Sequence, residues 1–465
     1  MMCPDSRPDF GVIVVGAGGA GLAAALSAAE AGASVLLIEA TGIPGGSTRL
    51  SSGSFMAAGT DSQAALGFAD DAGAFFDHYL CFNRWICDPA VARRFCEDGW
   101  PTMKWLAGHG VEYPASGLYR ATLEAVPRSH RPVGGGQTVI DVLIAACHRA
   151  GVEIAMGNRA TALLVAGGQV YGVEAGGEQS SASAVVLASG GFARNEELLA
   201  RYYPHFAAQD GHWSPAPDSN VGDGLLMGRE IGAAIVGWNP GITVLTPGVT
   251  RERDPFPPGW LFYLNERGQR FINESAPYSV MSHAAGRQAG GVWNVFDERT
   301  RREGPASRNP LTHTGVWTAE AIADAVRRGI IVCADTLAEL ACASGIDAEN
   351  LAVSVARYNN DCANGVDPGF GKDAAVMRPI VEPPFYAVRM RPLAMSLTAH
   401  GVQIDADANV LDTLGRPIPG LLAAGEVIGN LIGEQYLGGG NAVGGALTFG
   451  RIAGLRAAAL AGNQR

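Results

Sequence analysis

Phe10-Gly-Val-Ile-Val-Val-Gly-Ala-Gly-Gly-Ala-Gly21 is the stretch that decides the fold, together with its continuation to Glu39. Gly11–Val15 is a charge-free, β-branched run, the pattern of a strand buried on both faces. It enters Gly16-Ala-Gly18-Gly19-Ala20-Gly21, a G-x-G-x-x-G turn. An Ala-rich helix is predicted from Leu22 to Ala31, closed by Gly32, and a second strand from Ser34 to Ile38, with Glu39 at its end. Each glycine has a reason. Gly16 permits the tight turn, Gly18 lets a pyrophosphate approach the backbone, and Gly21 lets the helix pack close on the strand. The free N–H groups at the helix start favour phosphate, and Glu39 can hold ribose hydroxyls. A G-x-G-x-x-G alone is weak evidence. With a strand before it, a helix after it and an acid about twenty residues on, it marks a dinucleotide site.

At 465 residues the chain is too long for one core, so two or three domains are expected. Its 63 glycines are nearly twice the usual share and show no collagen-like period. With 47% hydrophobic residues, they suit close backbone approaches to a large cofactor better than disorder. A net charge of −11 and the lack of a basic run argue against a nucleic-acid partner. Eight scattered cysteines form no C-x-x-C pair and no metal-type spacing, which suits a reduced cytoplasmic interior. Phe10–Ala29 carries no charge, but a membrane span has no need of glycines at dinucleotide spacing. Asp5, Arg7 and Asp9 also make a poor basic leader. No targeting segment and no membrane span are expected.

Further along, Gly45–Gly53 reads as a small-residue loop able to lie along a cofactor's phosphates and ribityl chain. Residues 60–110 read as helices, Gly134-Gly-Gly136 leads into a helix through His148, and two or three strands follow between Val152 and Val173. Ala184–Ala188 is a buried strand stopping at Ser189-Gly-Gly191, as a doubly wound sheet presents on its ligand edge. From Asn239 to about Leu397 proline is denser, with Asp254-Pro-Phe-Pro-Pro-Gly-Trp260 as the clearest loop. Alternating strands are expected over Trp260–Phe271 and helix over Thr318–Cys362. Strand and glycine return at Val402–Asp405 and Gly420–Gly425. The reading is an α/β, Rossmann-type dinucleotide-binding domain (1–238 and 398–465) interrupted by an inserted domain (239–397).

The chain resembles the flavoprotein family of fumarate reductases, succinate dehydrogenases and 3-ketosteroid dehydrogenases. The resemblance runs nearly end to end. It rests on the Gly16–Gly21 turn, Val186-Leu-Ala-Ser-Gly-Gly-Phe192, Gly268-Gln-Arg-Phe-Ile-Asn-Glu274, Ile418-Pro-Gly-Leu-Leu-Ala-Ala-Gly-Glu426 and the glycine-rich 438–445 before Phe449-Gly-Arg451. It implies FAD, with the insertion as an α+β capping domain that handles substrate. The implied FAD contacts are Gly16, Gly18, Gly19, Ala20 and Gly21, then Glu39 with Ala40, and Gly46, Ser47, Thr48, Ser52 and Gly53. Ala188, Ser189 and Gly190 join them, with Gly425 and Glu426 towards the ribityl chain and Asn441, Ala442 and Val443 at the flavin ring. Ser47-Thr48 stands where some relatives carry a FAD-tethering histidine, so non-covalent FAD is expected.

Departures within the family are informative. Dicarboxylate reductases hold substrate with an arginine where this chain has Gln435-Tyr436-Leu437, and with histidines where it has Asn239-Pro240 and Leu397. A dicarboxylate would be left with unpaired charge in a water-poor site. The same positions resemble 3-ketosteroid Δ1-dehydrogenases. Asn273-Glu-Ser-Ala-Pro-Tyr278 is similar to the stretch bearing their base tyrosine, and Tyr436 with Gly440 to the hydroxyl and N–H that hold the ketone oxygen. Tyr119 joins this catalytic set. A base tyrosine must be acidified by a neighbour, for which Tyr113, Tyr119, Arg299 and Arg301 are candidates. Arg299, Arg301 and Arg302 otherwise read as a solvated basic face, and His400 as a hydrogen-bonded structural histidine. The expected activity is FAD-dependent α,β-dehydrogenation of a cyclic ketone, a 3-ketosteroid or a smaller cyclohexanone-type ring. The alternative is reduction of an enoate or enone. The implied partners are the small-molecule ketone and an external electron acceptor: a quinone, an electron-transfer protein or oxygen.

Overall fold

A computed structural model of the chain describes residues 8–121, 124–248, 258–304 and 317–462; Asp254–Pro257 of the proline-rich loop lie outside them. The chain divides into two units. Met1–Pro204, Ala216–Ile242 and Leu397–Arg465 form one, and His205–Pro215 with Thr243–Ser396 the other.

The first unit is built on an eight-stranded sheet. Its main path runs Asn409–Leu411, Pro417–Ala423, Glu178–Leu187, Phe10–Val15, Val35–Ile38, Glu153–Ala155. The four pairings from Pro417–Ala423 to Glu153–Ala155 are parallel. Ala160–Ala166 and Gln169–Ala175 extend Glu178–Leu187 as antiparallel hairpins. Central strands buried on both faces need continuous apolar runs, which Val12–Val15, Val35–Ile38 and Ala184–Leu187 supply.

The first helix spans Gly19–Glu30 and so begins inside the glycine motif, three residues before the expected Leu22. Gly18 is extended and caps it, and the Leu22 N–H reaches the Gly18 oxygen at 2.9 Å. This helix packs on the long C-terminal helix, Asn441–Gly462. The contact is backbone on backbone: a Cβ at Gly450 would collide with the Ala20 oxygen, and one at Gly454 with the Ala24 oxygen. Alanine and glycine on both helices are what permit so close an approach.

Three local expectations are corrected. Gly45–Gly53 is no simple loop. Gly45, at φ +111°, turns the chain into a short helix, Gly46–Leu50, closed by the Arg49 N–H on the Gly45 oxygen at 3.1 Å. Over Trp260–Phe271 only Tyr263–Asn265 is a strand, because the chain reverses at Gly268, φ +68°. The region Thr318–Cys362 is helical at 319–327, 337–344 and 348–364, but Ile331–Ala334 is a strand. That β-branched run follows Gly329 and pairs with Phe385–Leu397, so sheet pairing overrides the surrounding helical period.

The second unit has a five-stranded sheet in which Phe385–Leu397 pairs with Val292–Asp297 and Ile331–Ala334. Two apolar clusters pack on it. One centres on Trp260, Phe296 and Trp317, the other on Phe262, Leu351 and Tyr358.

The helix contact yields opposite signs for one kind of substitution. Gly450→Ala should destabilise by about 1–3 kcal/mol through overpacking, although alanine is the better helix former. Gly108→Ala sits in an exposed helix position where the added Cβ meets nothing, and should stabilise by about 0.4–1 kcal/mol. Thermal unfolding of both variants reads the two signs; equal midpoints would refute the backbone-contact argument.

Candidate active site

The glycine turn makes a cradle with one open side. Gly16 has φ +107°, and a Cβ there would strike the Ala188 oxygen, while one at Gly21 would overlap the Gly16 oxygen. A Cβ at Gly18 would meet nothing within 4 Å. The turn is therefore closed on the protein side and clear where a ligand must come. Gly45 pairs with it as an isolated parallel bridge to Gly18, its N–H on the Ala17 oxygen at 2.8 Å. Thr48 packs under Gly19. Glu39 is buried at the end of its strand. Its Oε2 accepts the Ala17 N–H at 2.9 Å, and its Oε1 accepts both the N–H and the hydroxyl of Thr41 at 2.9 Å. Glu39 thus braces the turn.

At the neighbouring sheet edge, Glu426 stands in a polar cage that sequence reading missed. Thr398 donates to Oε1 through its N–H at 3.0 Å and its hydroxyl at 2.9 Å, and Asn220 Nδ2 donates to Oε2 at 3.1 Å. Burial pushes the Glu426 carboxyl above the usual carboxylate range, and these donors work against that shift. Asn220 also accepts the Ala193 N–H at 2.6 Å, and the Ser189 hydroxyl accepts the Gly224 N–H at 3.1 Å, so Ser189–Ala193 is tied down. Neither Asn220 nor Thr398 sits in a spaced pattern, so no local signal announced them. His400 lies nearby, its Nδ1 3.0 Å from the Tyr203 hydroxyl, and burial lowers its pKa.

The C-terminal loop before the long helix collects the remaining first-unit candidates. Tyr436 is buried, and its approach is fixed from two sides. Asn83 Oδ1 accepts the Gln435 N–H at 2.8 Å, and Asn239 Nδ2 donates to the Glu434 oxygen at 2.8 Å. Gly440, at φ +102°, has its oxygen on the Met56 N–H at 3.1 Å and no room for a side chain, since a Cβ would lie 2.8 Å from Met56 N. Tyr119 stands beside Gly439 and donates to the Ser54 hydroxyl at 3.0 Å, which is 3.0 Å from that of Ser52. Tyr119, Ser54 and Gly439–Gly440 are thus brought together. Asn441 is fully buried, and its amide lies beside the Tyr79 hydroxyl. Neither its Oδ1 nor its Nδ2 has a partner in hydrogen-bond geometry among the described residues.

In the second unit, Tyr278 opens the helix Tyr278–Gly286 and packs against the Trp260–Phe296 cluster. Just before it, the motif Gly268–Glu274 forms a buried charge cluster. Arg270 grips Glu274 through two bonds of 2.8 and 2.7 Å and Asp367 at 2.8 Å, while Lys372 lies 3.4 Å from Glu274.

Of the groups expected to acidify a base tyrosine, several are otherwise engaged. The Tyr113 hydroxyl is buried without a partner among the described residues, and burial pushes its own pKa up. Arg301 clasps Glu298 through two bonds of 2.8 Å and donates to the Ala319 oxygen, holding the Glu298 carboxyl down at about 2. Arg299 pairs with Glu303 and Arg302 with Glu382. The basic run is a solvated face whose arginines are held in ion pairs.

A long phosphate-bearing dinucleotide fits these residues. The cradle is open at Gly18, and the buried Asn441 amide, with only the Tyr79 hydroxyl beside it among the described residues, has hydrogen-bonding capacity left for a ligand. A family model described as FAD binding domain matches residues 11–443. The chain is 32% identical over 462 residues to a fumarate reductase (cytochrome) of Shewanella frigidimarina, covering 96% of this chain and 76% of that protein. It is 26% identical to a 3-oxosteroid 1-dehydrogenase of Mycobacterium tuberculosis, covering 98% and 99%. Among solved structures, a 3-ketosteroid-Δ4-(5α)-dehydrogenase of Rhodococcus jostii RHA1, in complex with 4-androstene-3,17-dione, superposes with a TM-score of 0.81. It is 25% identical, with 98% of each chain covered. These relatives either saturate or form C=C bonds, and the chain belongs to this FAD-binding family of fumarate reductase and succinate dehydrogenase flavoproteins, with FAD as its cofactor.

Proposed function

We propose that the protein desaturates a cyclic ketone, a 3-ketosteroid or a smaller cyclohexanone-type ring, at the α,β-bond. The observation that carries this reading is Tyr436 with Gly440 where dicarboxylate reductases use an arginine, in a chain that also lacks their two histidines. The near full-length match to ketosteroid enzymes supports it. An α-C–H is too weak an acid for any side chain until the neighbouring carbonyl is polarised. The Tyr436 hydroxyl and the Gly440 N–H hold the ketone oxygen and stabilise charge developing there. Tyr278, ionised to its phenolate, takes the α-proton and becomes the neutral phenol. FAD, when bound, supplies the acceptor for the β-hydride. In this reading Thr243–Ser396 is the substrate-handling unit. Reoxidation falls to a quinone, an electron-transfer protein or oxygen.

On the cofactor side, in this reading the pyrophosphate goes to Gly16–Gly21 and Gly46–Thr48, with Ser52 and Gly53 further along the same segment. Adenosine goes to Glu39 and Ala40, with Ala188–Gly190 at the adjoining edge. The ribityl chain goes to Gly425 and Glu426, and the flavin ring to Asn441–Val443, all non-covalently. The second reading, reduction of an enoate or enone, is favoured by one observation: identity to the fumarate reductase is higher, 32% against 26%.

Anaerobic mixing with 3-oxosteroids and cyclohexanone should bleach the oxidised flavin band. Reduction by succinate and by no ketone, or turnover of fumarate with reduced viologen, would give the reading to the reductases. Tyr436→Phe should slow flavin reduction by roughly a hundred- to a thousandfold with FAD content intact, whereas Tyr278→Phe should alter the pH dependence as well as the rate. A wild-type rate in Tyr436→Phe would remove that residue from the mechanism. Asn441→Leu should weaken FAD retention by roughly tenfold or more, since it deletes the amide that needs a partner. Unchanged FAD affinity would show that the cofactor does not meet it.

A further inference from the structure

Ser129 is wholly buried, and its hydroxyl donates to the Gly439 oxygen at 2.6 Å. The bond spans 310 positions of sequence. The oxygen it takes belongs to the same peptide unit as the Gly440 N–H. Pro383–Pro384 is the cis bond among the described residues, so the Gly439–Gly440 peptide is trans. Its oxygen and its N–H then point in opposite directions. That N–H has no acceptor among the described residues.

We infer that Ser129 is a positioning residue that holds and polarises the Gly439–Gly440 peptide, so that its N–H is a stronger donor to the substrate's carbonyl oxygen. The inference rests on the reading of Gly440 given above. A hydrogen bond accepted at a peptide oxygen draws electron density from nitrogen and strengthens the N–H as a donor. The bond also fixes the direction of that donor before charge develops, as electrostatic preorganisation requires.

The surroundings are built to keep Ser129 in place. It lies on the strand Ser129–His130 between two anchored side chains. On one side Arg128 forms a bidentate ion pair with Asp70, at 2.8 and 2.6 Å. On the other, His130 Nε2 meets the Thr60 hydroxyl at 2.9 Å. The neighbouring strand, Phe55–Met56, pairs with Ser129–His130 and takes the Gly440 oxygen on the Met56 N–H. One small sheet therefore grips the peptide through Ser129 and the next carbonyl through Met56. The Ser129 hydroxyl bonds Gly439, which is not among the residues assigned to the cofactor.

Two measurements test the inference on the holoenzyme. Glycine labelled with ¹³C at the carbonyl and ¹⁵N isolates Gly–Gly peptides, Gly439–Gly440 among them, without substrate. Ser129→Ala should shift the Gly440 amide resonance, and Ser129→Thr, which keeps the hydroxyl, should restore it. With a 3-oxosteroid or cyclohexanone, Ser129→Ala should slow flavin reduction roughly three- to thirtyfold, less than loss of a whole donor, with FAD content unchanged and Ser129→Thr recovering the rate. An unmoved resonance overturns the inference, as does a wild-type rate for Ser129→Ala with a ketone that Tyr436→Phe slows. If no ketone reduces wild-type flavin, the ketone reading fails and the resonance alone judges Ser129. If Ser129→Ala sheds FAD or unfolds while Ser129→Thr does not, loss of the wild-type resonance position in the threonine variant overturns the inference and its retention supports it.

Discussion

The first unit depends on close contact between backbones, made possible where side chains are absent. Gly21 sits against the Gly16 oxygen, Gly16 against Ala188, and Gly450 and Gly454 against Ala20 and Ala24. Each contact excludes even a methyl group. Together they lay the first helix over the first strand and the last helix over the first. The result is that Asn441, near the end of the chain, shares a unit with a turn formed at its beginning. A larger residue at any of these points would separate elements that the cofactor must bridge.

Around this frame the polar groups are handled by pairing. Glu426 would be costlier at a buried sheet edge without Thr398 and Asn220, whose donors work against its desolvation. Arg128–Asp70 in one unit and Arg270–Glu274–Asp367–Lys372 in the other follow the same rule: each buried charge has a partner. Among the described residues, neither polar atom of the buried Asn441 amide finds a partner in hydrogen-bond geometry, which leaves it free to meet a ligand.

Family membership and substrate choice rest on different residues. The cofactor blocks are shared by reductases and dehydrogenases alike, so they identify FAD and the C=C chemistry without choosing a direction. In the proposed reading, choice of substrate rests on a few side chains, with Tyr436, Asn239 and Leu397 where dicarboxylate reductases would carry an arginine and two histidines. Overall identity weighs every position equally and leans towards the fumarate reductase. The positions that would touch a carboxylate, taken by themselves, favour a ketone. Asn239 shows how such a replacement is absorbed, for it is buried and holds the Glu434 carbonyl.

The dinucleotide fold was legible in sequence because its signal is local. Strand, glycine turn, helix and acid lie within about thirty residues, and each glycine answers a steric demand visible from its neighbours. FAD and the family were legible because five such blocks recur in order. The short helix at Gly46–Leu50 and the strand at Ile331–Ala334 were not, since one depends on the backbone angle of Gly45 and the other on a pairing partner more than fifty residues away. The cage around Glu426 and the bond from Ser129 to Gly439 were hidden for the same reason. Hydrogen bonds between residues from 28 to 310 positions apart leave no period or spacing in a sequence, and only folding brings such groups within reach.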